Sequence, residues 1–470
     1  MAWLGVDVGT SSTKAVVYSD AGRPVGSGRA GTPWYTGPHG VEVDALALRE
    51  SAFTAIGEAL RASGGSVGGV GITSMGETGV LVDGHGTPLA PAIAWHDGRD
   101  GEEAEQLVRD VDPASFTRRT GKPPTNQYAL TKHRWLAAHV PATRAAVRRF
   151  NVAEWVARGL GADEVSERSL ASRTGWLDLA QEAFDPELLA WSGAAASLMP
   201  PLVAAGQPIG TASHPLLAGA VVTIAGHDHQ AAAVGAGVAG AGDVLDSHGS
   251  AEAVLRTVSA GLAAEQVEAL AAAGITTDLG VQVGNWSLLG GTQGGLVLRH
   301  TLDELGVAWA DLPVLDAAAL AADCDAEADS GRAGADTGRA GGGASRAGGG
   351  ASRAGGGASR ASGGASRAGD GGGRTGPRPA TAGGGAKWRA VIEAETGAAA
   401  ERIATMARIV GPHHRLVVTG GWCASAAVLA AKRRLFGPLI VADVAEAGTL
   451  GAATLAARAA GALGPADALA

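Results

Sequence analysis

Hydrophobic and polar positions along the chain fall into short β-favouring runs that end in glycine-rich turns, alternating with stretches of helical periodicity. Trp3–Val8, Lys14–Tyr18 and Pro24–Gly28 read as three strands of a meander, with turns at Gly9-Thr10-Ser11-Ser12 and Asp20-Ala21-Gly22. Residues Val43–Ala62 carry apolar positions at helical spacing behind Asp44, a plausible N-cap. Strands are predicted at Val67–Thr73, Val80–Val82 and Pro91–Trp95, and helices at Thr131–His139 and Arg144–Leu160. Val221–Ile224 is a buried strand that Ala225 and Gly226 break, and the small-residue run AAAVGAG after Gln230 reads as a tightly packed helix. The strand–Gly/Ser turn–strand pattern then recurs: Asp243–Asp246, Ser247-His248-Gly249-Ser250, Ala251–Val258. Val281–Leu289 is a strand leading to a helix through Leu305. A long helix Trp388–Val410, a strand Arg415–Val418, a helix Ala424–Phe436, a strand Leu439–Val441 and a helix Gly448–Ala460 complete the order. Two copies of one device, one in each half, predict a duplicated α/β architecture.

Length sharpens this picture: 470 residues exceed what one hydrophobic core organises, so two or three domains are expected. With 46% hydrophobic and 18% charged residues the chain is globular, and a net charge of -9 argues against a nucleic-acid partner. The opening MAWLGVDVG has no basic stretch and carries Asp7 at once, so it is not read as a signal peptide. No run of about 18 apolar residues free of charge and glycine predicts a membrane span. Cys324 and Cys423 can build neither a disulfide framework nor a metal cage, which points to a reducing, cytoplasmic setting. Residues 330–386 differ in kind, with an arginine at every seventh position from Arg332 to Arg374 in a unit close to AGGGASR. That composition offers no apolar seam and cannot offset ordering entropy, so the segment is expected to be a disordered insertion.

The chemistry sits at strand ends. The Gly9–Ser12 turn offers backbone amides and hydroxyls to an anion, and Asp7 beside it can hold a metal ion, usually through water. An ordinary hairpin would look much the same. Glu77, Trp95, Asp97 and Arg99 form the mixture a sugar needs, carboxylates for hydroxyls and a flat ring for the apolar carbon face; a solvated loop with internal ion pairs is the alternative for the last three. Asn126 and Gln127 could reach a ligand, but residues 102–220 show no catalytic constellation. Asp228 lies between His227 and His229 at the predicted strand-to-helix junction, where α/β proteins place chemistry and where a helix N-cap is equally at home. Gly420-Gly421 would let a flat ligand approach the backbone.

In order, GVDVGTSSTKAVVY, ITSMGETGVLVD, AIAWHDGR, IAGHDHQAAAVGAG, DSHGSAEAV, VVTGGWCAS and GTLGAATLAARAAG resemble the FGGY carbohydrate kinases over about residues 3–305 and 388–461. The resemblance implies an α/β fold of two actin-like (ribonuclease H-like) domains, each a mixed sheet flanked by helices, with a cleft between them. It implies a sugar-binding domain at 1–240 and a nucleotide-binding domain at 241–470, the latter interrupted by 330–386. By the same resemblance Asp228 falls on the catalytic base, and Asp7 on the aspartate near magnesium. Gly9, Thr10, Ser11, Ser12 and Lys14 fall in the first phosphate loop, Gly249 and Ser250 in the second. Gly420 and Gly421 fall in the adenosine loop with Ser425 close by, and Glu77, Trp95, Asp97 and His229 on the substrate side. Gly76 stands where glycerol kinases have an arginine beside that glutamate, which disfavours glycerol, and Trp422 replaces a glycine and is placed to cover or crowd the adenine.

The expected activity is ATP-dependent phosphorylation of a primary hydroxyl of a small sugar, a ketopentose such as xylulose ahead of other ketoses and polyols (ribulose, fuculose, gluconate or a glycerol-like substrate), with ATP and Mg²⁺. An actin-like ATPase or a sugar-sensing protein without kinase activity is the alternative of another class. The expected partners are the sugar and ATP, with neither nucleic acid nor membrane, and a homodimer is left open. If Asp228 is the base, the rate is expected to fall on acidification near pH ~4 to 6.

Overall fold

The computed structural model describes residues 1–249, 251–321 and 382–469. Ser250 and most of the 330–386 repeat lie outside the described residues.

Two mixed six-stranded sheets organise the chain. In the first, Ala2–Val8, Ser12–Ser19 and Pro24–Gly31 form the antiparallel meander expected from the turn residues. Gly69–Ser74 pairs parallel to Ala2–Val8, Val221–His227 pairs parallel to Gly69–Ser74, and Pro208–Thr211 closes the edge antiparallel. In the second, Asp243–His248, Glu252–Ser259 and Asn285–Thr292 form the meander; Arg415–Thr419 pairs parallel to Asp243–His248, and Ile440–Val441 parallel to Arg415–Thr419. Thr276–Leu279 closes the far edge. Apart from these two edge strands, the order and sense of pairing are the same in both sheets, so the duplication anticipated from the repeated turn is a duplication of topology.

Parallel strands are buried on both faces, which is why Val6, Val70, Ile72, Val222 and Ile224 read as apolar runs rather than an alternation. Helix Ala45–Ser63 covers one face, capped by Asp44, whose carboxylate accepts from the Ala47 amide, and buries Leu48, Phe53 and Ile56. The last helix, Ala447–Ala459, leaves the second sheet and packs on the first, where Tyr18 and Thr449 share a 2.8 Å hydrogen bond. It also lies against helix Asp228–Gly235 with backbone touching backbone: a Cβ on Gly451 would collide with the Ala231 carbonyl. The small-residue run after Gln230 exists for this approach.

Four expectations are corrected. Arg144–Leu160 is not one helix: a 3-10 turn at Pro141–Ala145 leads to strand Arg148–Asn151, paired with Gly79–Val82, and then to helix Val152–Gly159. A capping box between Asn151 and Glu154 starts that helix and stops the strand. Strand Val221–His227 passes through Ala225 and Gly226 by a register shift, because Gly226 adopts φ +85°. Val281–Leu289 is replaced by the hairpin Thr276–Leu279 and Asn285–Thr292. The long helix starts at Ala382 rather than Trp388, so residues 382–386 are helical rather than disordered, and within it the Trp388 indole N–H donates to Asp316.

Candidate active site

Three parallel strands of the first sheet end side by side, Val8 opposite Ser74 and Ser74 opposite His227. Each runs directly into a functional segment: the Gly9–Ser12 turn, Met75-Gly76-Glu77, and Asp228. The carboxyl edge of a parallel sheet is where backbone groups stop pairing with one another and become available to a ligand.

Asp228 is the first residue of helix Asp228–Gly235, with His227 in the N-cap position. Its own side chain makes no cap; Oδ1 accepts from the adjoining His229 amide at 2.7 Å. The His227 and His229 Nε2 atoms lie 3.4 and 3.9 Å from the same oxygen, and the side chain keeps 24% of its exposure, enough to meet a ligand. Burial pushes the Asp228 pKa up, but His229, His227, the His229 amide and Arg173 outweigh it and hold the carboxyl below the ordinary aspartate value. Burial holds His227 down at about 4, so it is a neutral imidazole at physiological pH.

Asp7 behaves in the opposite way. Burial, then the Asp228 charge, push it up to about 7, with Lys14 opposing and Glu446 adding to the rise. Its buried Oδ1 has no hydrogen-bond partner, and Lys14 is turned to Glu446 at 2.6 Å. A carboxylate with one buried, unpartnered oxygen and no direct ion pair to a described residue fits a cation. Among the described residues no group of three or more His, Cys, Asp or Glu could hold a metal ion by itself. A metal here would therefore complete its shell with phosphate and water oxygens, as Mg²⁺ does.

The turn itself is braced by aromatic donors. The Trp95 indole donates to Thr10 Oγ1 at 2.9 Å and that of Trp34 to the Thr10 carbonyl at 2.6 Å. Ser12 Oγ accepts from Arg29 at 3.1 Å, and Ser11 is left exposed. Trp95 thus holds the turn. Asp97 has a full set of protein partners: Oδ1 accepts from the Arg99 amide and Nε at 3.0 and 2.7 Å, and Oδ2 from the Val41 amide at 2.5 Å. Glu77 is buried with φ +62°. Its Oε1 accepts from Arg173 Nε at 2.9 Å, from Arg173 Nη2, and from Gln127 at 3.3 Å.

In the second half, Gly249 and Gly420 follow the neighbouring parallel strands Asp243–His248 and Arg415–Thr419. Gly420, at φ +103°, lies so close to His248 that a Cβ would collide with its carbonyl, so the two loops touch. Gly421 faces open space. Ser425 is buried; its hydroxyl caps helix Ala426–Phe436 through the Val428 amide at 3.2 Å and donates to Asp316 at 2.9 Å. Trp422 is buried, its ring 5.1 Å from that of Trp309 and 5.9 Å from that of Trp388.

Residues 102–220 show no catalytic constellation of their own in the sequence, with Gln127 able to reach a ligand; two of them lie against Glu77, and one, Arg173, is not singled out by any sequence motif. Arg173 and Gln127 both contact Glu77. One sign was in the sequence: no acidic residue stands within four positions of Arg173, in the small-residue run SLASRTG, so a buried arginine there needs a partner from elsewhere.

Residues 2–235 match the family model for the N-terminal domain of the FGGY family of carbohydrate kinases. The chain belongs to the FGGY family. It is 36% identical over 249 residues to the xylulose kinase of Streptomyces rubiginosus, 50% of each chain, and 30% identical over 318 residues to the glycerol kinase of Janthinobacterium sp. (strain Marseille), 65% of this chain and 64% of that one. The chain spans about half the length of the xylulose kinases it matches. Among solved structures, xylulose kinase from Rhodospirillum rubrum superposes with a TM-score of 0.75 at 22% identity, covering 98% of this chain and 91% of that one. Plasmodium falciparum glycerol kinase with ADP gives 0.76 at 17%, covering 99% and 90%. The fold of this FGGY protein is therefore the two-domain, actin-like α/β fold. Among the described residues no helix is long and apolar enough to cross a membrane.

Proposed function

We propose that this protein transfers the γ-phosphoryl group of ATP to a primary hydroxyl of a small sugar, with a ketopentose such as xylulose as the first candidate and Asp228 as general base. One observation carries the reading: Asp228 is a partly open carboxylate at the ends of three parallel strands, kept ionised by its flanking groups, beside Asp7, whose buried Oδ1 has no hydrogen-bond partner. The same fold in xylulose and glycerol kinases, and the family match over residues 2–235, support it.

In this reading residues 1–240 bind the sugar and 241–470 the nucleotide, in the cytoplasm where ATP is supplied. A sugar hydroxyl lies against Asp228, which takes its proton as the oxygen attacks phosphorus. Glu77 and His229 receive other hydroxyls, Trp95 covers a carbon face, and Asp97 acts by holding the loop that carries Trp95. Amides of the Gly9–Ser12 turn, Lys14 and the Gly249–Ser250 loop meet phosphate oxygens, and Gly420-Gly421 lies along the adenosine. Mg²⁺ held at Asp7 supplies charge neutralisation for the transferred group. Positioning and water exclusion do the rest.

A glycerol-like polyol is the second reading. Gly76 argued against it for want of an arginine beside Glu77, but Arg173 places a guanidinium on that carboxylate. Assaying ketoses and polyols for ATP-dependent phosphosugar formation decides: a phosphorylated ketopentose supports the first reading, phosphorylated glycerol the second, and ATP hydrolysis without a phosphosugar overturns both.

A further inference from the structure

Arg173 follows the short helix Arg168–Ser172, is only 3% exposed, and joins the two halves of the molecule. Toward the first half it clamps Glu77 Oε1 through Nε at 2.9 Å and through Nη2. Toward the second, Nη1 donates to Asp278 Oδ2 at 2.9 Å and to Thr276 Oγ1 at 2.8 Å, both on the edge strand of the second sheet. Lys122 lies 2.7 Å from Asp278 Oδ1, so two buried carboxylates are balanced by two buried cations. All the hydrogen bonds the Glu77 carboxylate makes to described residues fall on Oε1, which leaves Oε2 to a ligand.

Backbone and packing details reinforce the clamp. Glu77 sits in the left-handed region and its carbonyl accepts from Arg149 at 3.2 Å, so one arginine fixes its backbone and another its side chain. Gly76 leaves room for Arg173: a Cβ there would come within 3.2 Å of both Arg173 Cγ and His227 Cδ2. The same edge strand is pinned to the Asp228 helix by Gln230, which donates to the Leu279 carbonyl at 3.0 Å and accepts from the Val281 amide at 2.8 Å.

We infer that Arg173 is a positioning residue: it presents Glu77 Oε2 to a substrate hydroxyl and ties that carboxylate to the edge strand Thr276–Leu279, to which Gln230 also fastens the Asp228 helix. The identity of the ligand rests on the kinase reading above; the tie itself does not.

The test compares wild type with Arg173→Lys, Arg173→Met, Asp278→Asn and Glu77→Gln by steady-state kinetics and by amide hydrogen exchange. Arg173→Met is expected to raise the sugar KM by about tenfold or more, the scale of one charged hydrogen bond, with the ATP KM within about twofold. Arg173→Lys should recover part of the loss, and Arg173→Met should add little once Glu77 is Gln. Exchange should quicken at 76–79 and at 276–279 together in Arg173→Met and in Asp278→Asn. Equal rises in both KM values, fully multiplicative effects of the two variants, or faster exchange at only one segment overturn the inference. If Arg173→Met does not fold, Arg173→Lys and Asp278→Asn are judged by the same readouts. If wild type phosphorylates no sugar, the kinase reading falls, and the exchange pattern alone decides the tie.

Discussion

Asp7 and Asp246 lie on matching strands of two topologically similar sheets, two residues ahead of Gly9 and three ahead of Gly249, and they are treated differently. Burial pushes both up to about 7. Oδ1 of each lacks a partner. In the second half, however, Lys432 is buried against Asp246 Oδ2 and against Glu252 at 2.5 Å. The Asp7 side chain makes no hydrogen bond to a described residue, and Lys14, its partner across the strand pair, is engaged by Glu446. One half thus carries a buried ammonium, from helix Ala426–Phe436, against its aspartate, while the other leaves Asp7 Oδ1 without a hydrogen-bond partner, near Asp228. Taking a charge out of water has to be offset by something; at Asp246 that is Lys432, whereas at Asp7 it is the field of Lys14, which is itself paired with Glu446. The two aspartates are not copies of one position: by distance to the turn glycine, Ser247 matches Asp7, and Asp246 stands one residue earlier.

The difference can be broken from either side. The largest effect is expected from Lys432→Met, which strands two buried carboxylates and should lower the unfolding free energy by about 3–5 kcal/mol in a denaturant titration; a change near zero would mean the ammonium is dispensable. Asp7→Asn should do the reverse, leaving stability equal or higher because a carboxylate whose ionised form is disfavoured by desolvation and by Asp228 is removed. Phosphoryl transfer by that variant should fall by about 10²–10³-fold, the scale of one lost electrostatic contact to the transition state. Loss of stability with normal turnover would make Asp7 structural like Asp246. Ser425→Ala, which removes a helix cap far from the open aspartate, should cost about 1 kcal/mol in stability and little in rate.

The smallest effect concerns pH. Asp228 is held below the ordinary aspartate value, so its active, ionised form persists to lower pH than an unshifted carboxylate would allow. At saturating ATP and Mg²⁺ the rate should therefore stay level from neutrality down to about pH 5, with the acid limb below the pH ~4 to 6 window that partial burial alone suggests. A limb centred near 6 would show that burial wins over the imidazoles and Arg173.

The sheets were legible because their strands are apolar runs ended by Gly and Ser, and Asp44 announced its helix through cap chemistry. Asp228 was legible as a carboxylate at a strand end, though only the geometry separates its role from that of a cap. Strand Arg148–Asn151 was hidden because its arginines mimic a helical surface, and only pairing with Gly79–Val82 reveals it. Ser425 was read as a ligand neighbour, whereas its hydroxyl is spent on a cap and on Asp316. The Glu77–Arg173–Asp278 chain joins residues 96 and 105 positions apart, a separation at which no local pattern forms.

The central claim is that Asp228 is the base. Its most direct test is phosphosugar formation by Asp228→Ala alongside wild type, with nucleotide binding measured on both. The account predicts that transfer falls by about 10²–10⁴-fold while ATP still binds with wild-type affinity; undiminished turnover in Asp228→Ala would contradict it.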